Sequence, residues 1–87
     1  MQQQTFTVNN PTGIHARPSG AILKKASVYS CKVELAKADG TKASAKSMVG
    51  VLKLGLKQGD QVTVITDGDG EVEALQAVGE IIESVFE

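Results

Sequence analysis

Ile14-His15-Ala16-Arg17-Pro18-Ser19-Gly20-Ala21-Ile22-Leu23-Lys24-Lys25-Ala26 reads as a helix and also fixes where that helix begins. Ser19, Ile22, Leu23 and Ala26 recur at helical spacing on one face. Pro18 has no backbone N–H, so it fits only a first turn. The helix start is therefore expected near Ala16, with His15 just ahead of it. Lys24 and Lys25 fall in the last turns, where positive charge suits the helix dipole.

Upstream, Thr5-Phe6-Thr7-Val8 alternates polar and apolar residues, as a strand with one buried face does. Asn9-Asn10-Pro11-Thr12-Gly13 is a cluster of turn formers and hence a loop. Downstream, Cys31, Val33 and Leu35 alternate with Lys32 and Glu34 in a second strand. Asp39-Gly40 signals a hairpin, and a third strand is expected from near Thr41 through Ser44. Ser47 to Leu54 reads as a short amphipathic helix, N-capped by Ser47 and stopped by Gly55. Val62 and Val64 mark a fourth strand. Ala74, Leu75, Val78, Ile81, Ile82 and Val85 then recur at steps of three and four, predicting a helix that runs to the C-terminus.

The order β-α-β-β-α-β-α, with strands apolar on one face only, predicts an α+β fold. It is an open-faced sandwich, a four-stranded antiparallel sheet with three helices on one face. A length of 87 residues fits one domain, residues 1–87, with a modest core and its chemistry on the surface.

Composition narrows the function. A formal net charge of −1 argues against direct nucleic-acid binding. Three aromatics, Phe6, Tyr29 and Phe86, are too few for a base-stacking platform. The one cysteine, Cys31, forms no intramolecular disulfide and reads as a small apolar strand residue. The polar start Met1-Gln2-Gln3-Gln4 is no signal peptide, and no apolar run approaches a membrane span. A cytoplasmic protein without membrane insertion is expected. Asp67-Gly68-Asp69-Gly70-Glu71 fails the calcium-loop pattern, because Val72 takes the glycine position and Val78 the terminal carboxylate. One histidine and one cysteine make a metal site unexpected, and no nucleotide loop or cofactor motif is present. A phosphoryl donor would have to be another protein.

Thr12-Gly13-Ile14-His15-Ala16-Arg17-Pro18 is where chemistry concentrates. Exposed N–H groups at a helix start carry roughly half a positive charge, which disfavours an imidazolium and favours a bound anion. His15, the only histidine, is expected to stay neutral and nucleophilic there. The Arg17 fork suits phosphate oxygens, Thr12 adds a hydroxyl, the amides around Ala16 add donors, and Pro18 fixes the turn. Each helix-end effect supplies only about 0.3–1 kcal/mol at an exposed site, so the group suits transfer better than tight binding. Physics alone leaves a plainer reading open, in which His15 is a polar loop residue and Arg17 a solvated helix residue.

Gly13-Ile14-His15-Ala16-Arg17-Pro18 resembles the active-site signature of the HPr phosphocarriers of the sugar phosphotransferase system. Lys46-Ser47-Met48-Val49-Gly50-Val51-Leu52-Lys53-Leu54-Gly55 resembles the same family's second signature. The resemblance implies that Nδ1 of His15 takes a phosphoryl group from the phosphoenolpyruvate-dependent enzyme I and gives it to sugar-specific IIA proteins, with Arg17 contacting the group. Such a protein is a stoichiometric carrier and not an enzyme that turns over a small substrate. Thr12, Ala16, Arg17 and Pro18 are the implied phosphate contacts.

Ser47 corresponds to the serine phosphorylated by an ATP-dependent kinase, and Gly50 resembles the branch in which that serine is regulated. Lys24, Met48, Leu52 and Lys53 are the expected partner surface, with Lys46 on its basic rim. A serine kinase/phosphorylase and a catabolite-control transcription factor are further implied partners of a monomer. Ser19 stands where alanine is common; its hydroxyl either bonds to backbone or adds a donor to the site. Two other functions remain open at this point: a regulatory module in which His15 is incidental, and an RNA-binding sheet, which the charge and the aromatic count oppose.

Overall fold

The alternating apolar positions build one sheet, and the helical ones cover it. The computed structural model describes residues 1–85; Phe86, counted above among the aromatics, lies outside them. Its elements are β1 (Gln2–Thr7), α1 (Ala16–Val28), β2 (Lys32–Lys37), β3 (Lys42–Ser44), α2 (Met48–Lys53), β4 (Gln61–Asp67) and α3 (Glu71–Glu83). The strands lie in the order β1-β4-β2-β3, every neighbouring pair antiparallel. Phe6 faces Val62 and Leu35 faces Val64 across the pairings, so one face of the sheet is a continuous apolar floor. Ile22 and Ala26 of α1, Val51 of α2, and Ala74, Leu75, Val78 and Ile82 of α3 close over it. The expected open-faced sandwich with three helices on one face is the fold observed.

Several boundaries differ from the sequence expectation. The first strand starts at Gln2, not Thr5, because backbone pairing of Gln2, Gln3 and Gln4 with Thr66, Ile65 and Val64 extends it. Val8, expected inside that strand, lies beyond its end yet is fully buried. The last helix stops at Glu83, where the Ser84 N–H bonds to Ile81 O and the Ser84 hydroxyl donates to Glu80 O at 2.6 Å. Val85, expected on its apolar stripe, is exposed, and the remainder of the expected helix, residues 86 and 87, lies outside the described residues. Leu23, expected on the buried face of α1, is half-buried.

Close packing sets how α3 meets β1. A Cβ at Gly79 would collide with the Phe6 ring. Glycine in mid-helix costs about 1 kcal/mol of helix propensity, and here it admits the largest side chain of the first strand.

Candidate functional site

His15 is the N-cap of α1, in extended backbone at φ −91° and ψ −164°. Its carbonyl accepts the Ser19 N–H at 2.9 Å, which closes the first turn. The Arg17 N–H faces Nδ1 of His15 at 3.4 Å, a long and weak hydrogen bond. The imidazole, Ala16 and Arg17 are all exposed, and Pro18 is fully buried. Pro18 has no N–H to offer an anion; what it supplies is a fixed first turn of α1. Among the described residues, the donors at this helix start are therefore the amides of Ala16 and Arg17.

The segment entering His15 is held from several sides. Gly13 adopts φ +72° and lies so close to the Leu56 carbonyl that a Cβ would collide with it. Ile14 N–H bonds to that same carbonyl at 3.0 Å, and the Ile14 side chain is buried. Gly13 N–H bonds to Asn10 O at 2.9 Å, which closes a turn with Pro11 at its favoured second position. Asn9 donates to Glu83 O at 3.0 Å and accepts from the Gln58 side chain at 3.3 Å. The loop before the histidine is thus tied to the loop after α2 and to the end of α3.

An imidazole whose Nδ1 faces a backbone amide, at an exposed helix start two residues before Arg17, is suited to carrying an anionic group on that nitrogen. The family model described as "PTS HPr component phosphorylation site" matches residues 2–84. The chain belongs to the HPr family. It is 38% identical to the phosphocarrier protein HPr of Lysinibacillus sphaericus, over 94% of this chain and 92% of that one. The crystal structure of HPr-C-His from Thermoanaerobacter tengcongensis matches with a TM-score of 0.88 at 36% identity, covering 94% of this chain and 91% of that one. An HPr dimer from the same organism matches with a TM-score of 0.73 at 38% identity, covering 94% and 93%.

The second HPr signature also has a definite place. Ser47 caps α2, its hydroxyl accepting the Gly50 N–H at 3.1 Å. Gly55, with φ +60°, follows the Leu54 C-cap as expected. Leu52 is 39% exposed and Met48 half-buried, while Val49 is 63% exposed. The apolar patch is therefore built chiefly from Val49 and Leu52, with Lys53 beside them and Lys24 exposed on α1, the helix that packs against α2. Lys46 does not belong to its rim. Its ammonium donates to Tyr29 O at 2.7 Å and Cys31 O at 2.8 Å, so it is a tie between the end of α1 and the start of β2.

Ser19 follows neither of its two expectations. It is fully buried, and its hydroxyl has no hydrogen-bond partner among the described residues. Cys31 is a free, buried thiol just before β2, consistent with a packing role. Among the described residues no helix is long and apolar enough to cross a membrane. Sequence reasoning missed Asn10 and Leu56. Turn formers announce a loop, but nothing in their pattern says that one of them is buried or which distant carbonyl it meets.

Proposed function

We propose that this HPr-family chain accepts a phosphoryl group on Nδ1 of His15 from enzyme I and passes it to sugar-specific IIA proteins. In the first transfer the Nδ1 lone pair forms the new N–P bond as the donor's bond to phosphorus breaks; in the second that N–P bond breaks and its electron pair returns to Nδ1. The IIA nucleophile takes the group in that second step and returns the ring to its free state. The observation that carries this reading is the Arg17 N–H opposite Nδ1 at the start of α1. A phosphoryl group on that nitrogen would bring an oxygen to that donor, with the Ala16 amide, the Arg17 guanidinium and the Thr12 hydroxyl as further partners and Pro18 fixing the turn. Thr12, His15, Ala16 and Arg17 are all exposed, which suits a carrier that hands its cargo on and turns over no small molecule itself.

The same reading makes residues 1–87 one domain, monomeric and cytoplasmic. It places the docking surface on Lys24, Met48, Val49, Leu52 and Lys53. Phosphorylation of Ser47 by a serine kinase/phosphorylase would put a dianion beside this patch. The helix start tolerates that charge, so its effect falls on partners: it repels an acidic one and recruits a basic one, such as a catabolite-control transcription factor. The test is incubation with phosphoenolpyruvate and enzyme I. An acid-labile, base-stable phosphate that disappears in His15→Ala supports the carrier. No label on the unaltered protein, with enzyme I active on a known HPr, leaves a regulatory module instead.

A further inference from the structure

Asn10 has no exposed surface, although it lies in a surface loop five residues before His15. Its side-chain nitrogen donates to two acceptors, Gly13 O at 2.8 Å and Thr12 Oγ1 at 2.8 Å. Its own carbonyl takes the Gly13 N–H at 2.9 Å. A buried polar side chain persists only where its bonds are made, and losing one leaves its desolvation uncompensated. These bonds are therefore fixed features of the loop.

The bond to Thr12 also sets a direction. A side-chain amide nitrogen only donates, so the Thr12 oxygen must accept from it. A hydroxyl that accepts on that side keeps its own hydrogen for another acceptor. Thr12 is exposed three residues before His15, so that hydrogen is left for an acceptor arriving from solvent.

We propose that Asn10 is a positioning residue for phosphoryl transfer, acting through Thr12: it holds the Thr12 hydroxyl as a donor toward the phosphoryl group on His15 while clamping the Gly13 carbonyl. This rests on the carrier reading of His15. A plain structural staple would stabilise the turn without any dependence on the Thr12 hydroxyl, and that difference is measurable.

The experiment is a double-variant cycle of Asn10→Ala, Thr12→Val and the combined protein. It reads the single-turnover rate of phosphorylation by phospho-enzyme I and, separately, stability to urea. Thr12→Val is expected to slow transfer roughly tenfold, the size of one charge-assisted hydrogen bond. Asn10→Ala should cost a similar factor in the parent and less than about twofold when Thr12 is already valine. Equal slowing in both backgrounds overturns the proposal. Should Asn10→Ala not fold, side-chain couplings in the unaltered protein decide instead. One Thr12 χ1 rotamer supports the proposal and rotamer averaging overturns it. An unaltered protein that takes no label removes the carrier reading and this proposal together, whereas a labelled protein with additive variants removes this proposal alone.

Discussion

The backbone amide of Arg17 stands 3.4 Å from Nδ1 of His15, and the ring nitrogen accepts from it. An atom that accepts in the ring plane holds a lone pair there, so the proton of the neutral imidazole is on Nε2. On the proposed carrier reading, the lone pair that attacks phosphorus is thereby on the nitrogen that faces the helix donors. Nitrogen-15 spectra of the neutral ring are expected to show Nε2 protonated and Nδ1 bare. A predominant Nδ1–H tautomer would contradict the assignment of the reacting atom.

Gly13 is the narrowest point of the loop. At φ +72°, with the Leu56 carbonyl against it, alanine meets both backbone strain and a collision with a backbone atom that cannot swing away. The Ile14 bond to the same carbonyl is then lost or lengthened. Gly13→Ala is expected to cost roughly 1–3 kcal/mol in urea unfolding and to slow phosphorylation of His15. Gly40 also has positive φ but open space around it. Gly40→Ala should leave the phosphorylation rate unchanged.

Lys46 and Lys53 look alike in the sequence and differ in the structure. Lys46 satisfies two main-chain carbonyls, at 2.7 and 2.8 Å, whereas Lys53 is exposed at the end of α2. Lys46→Met keeps the aliphatic stem and leaves those carbonyls unanswered, for an expected loss of about 1–3 kcal/mol. Lys53→Met should stay within about 0.5 kcal/mol, as surface changes do, while weakening the docking of an acidic partner. Urea midpoints separate the two, and equal midpoints would refute the tie.

Periodicity exposed the fold because burial in this chain follows it closely. Ile22 and Ala26 on α1, Val33 and Leu35 on β2, and Val62 and Val64 on β4 all face the core as their spacing implies. Gln2 to Gln4 escaped because their strand is held by backbone pairing with β4, to which side-chain polarity gives no clue. The helix start at His15 was legible because proline allows only one local geometry. Lys46 and Asn10 were not, because Lys46 is held by main-chain groups distant in sequence and Asn10 by a turn whose burial no local pattern encodes. Val49 was passed over as the centre of the patch on α2, since apolar residues in a six-residue helix do not reveal which of them faces out.

Acid stability should report on the turn before α3. Glu71 accepts the Gly68 N–H at 3.1 Å and lies 3.0 Å from the Met1 ammonium. The Gly68 bond foremost, then the ammonium, holds its carboxyl below the ordinary carboxylate value. The unfolded chain therefore takes up this proton more readily than the folded one. The stabilisation is complete above the unfolded value and fades as pH falls through the lower folded one. Glu71→Gln cannot ionise and should melt lower than the parent at neutral pH. The two melting temperatures should converge once the pH is low enough to protonate Glu71 in the folded protein. Thermal unfolding followed from pH 7 to pH 2 checks this, and a gap that stays constant across that range would show that the charge of Glu71 contributes nothing to holding the turn.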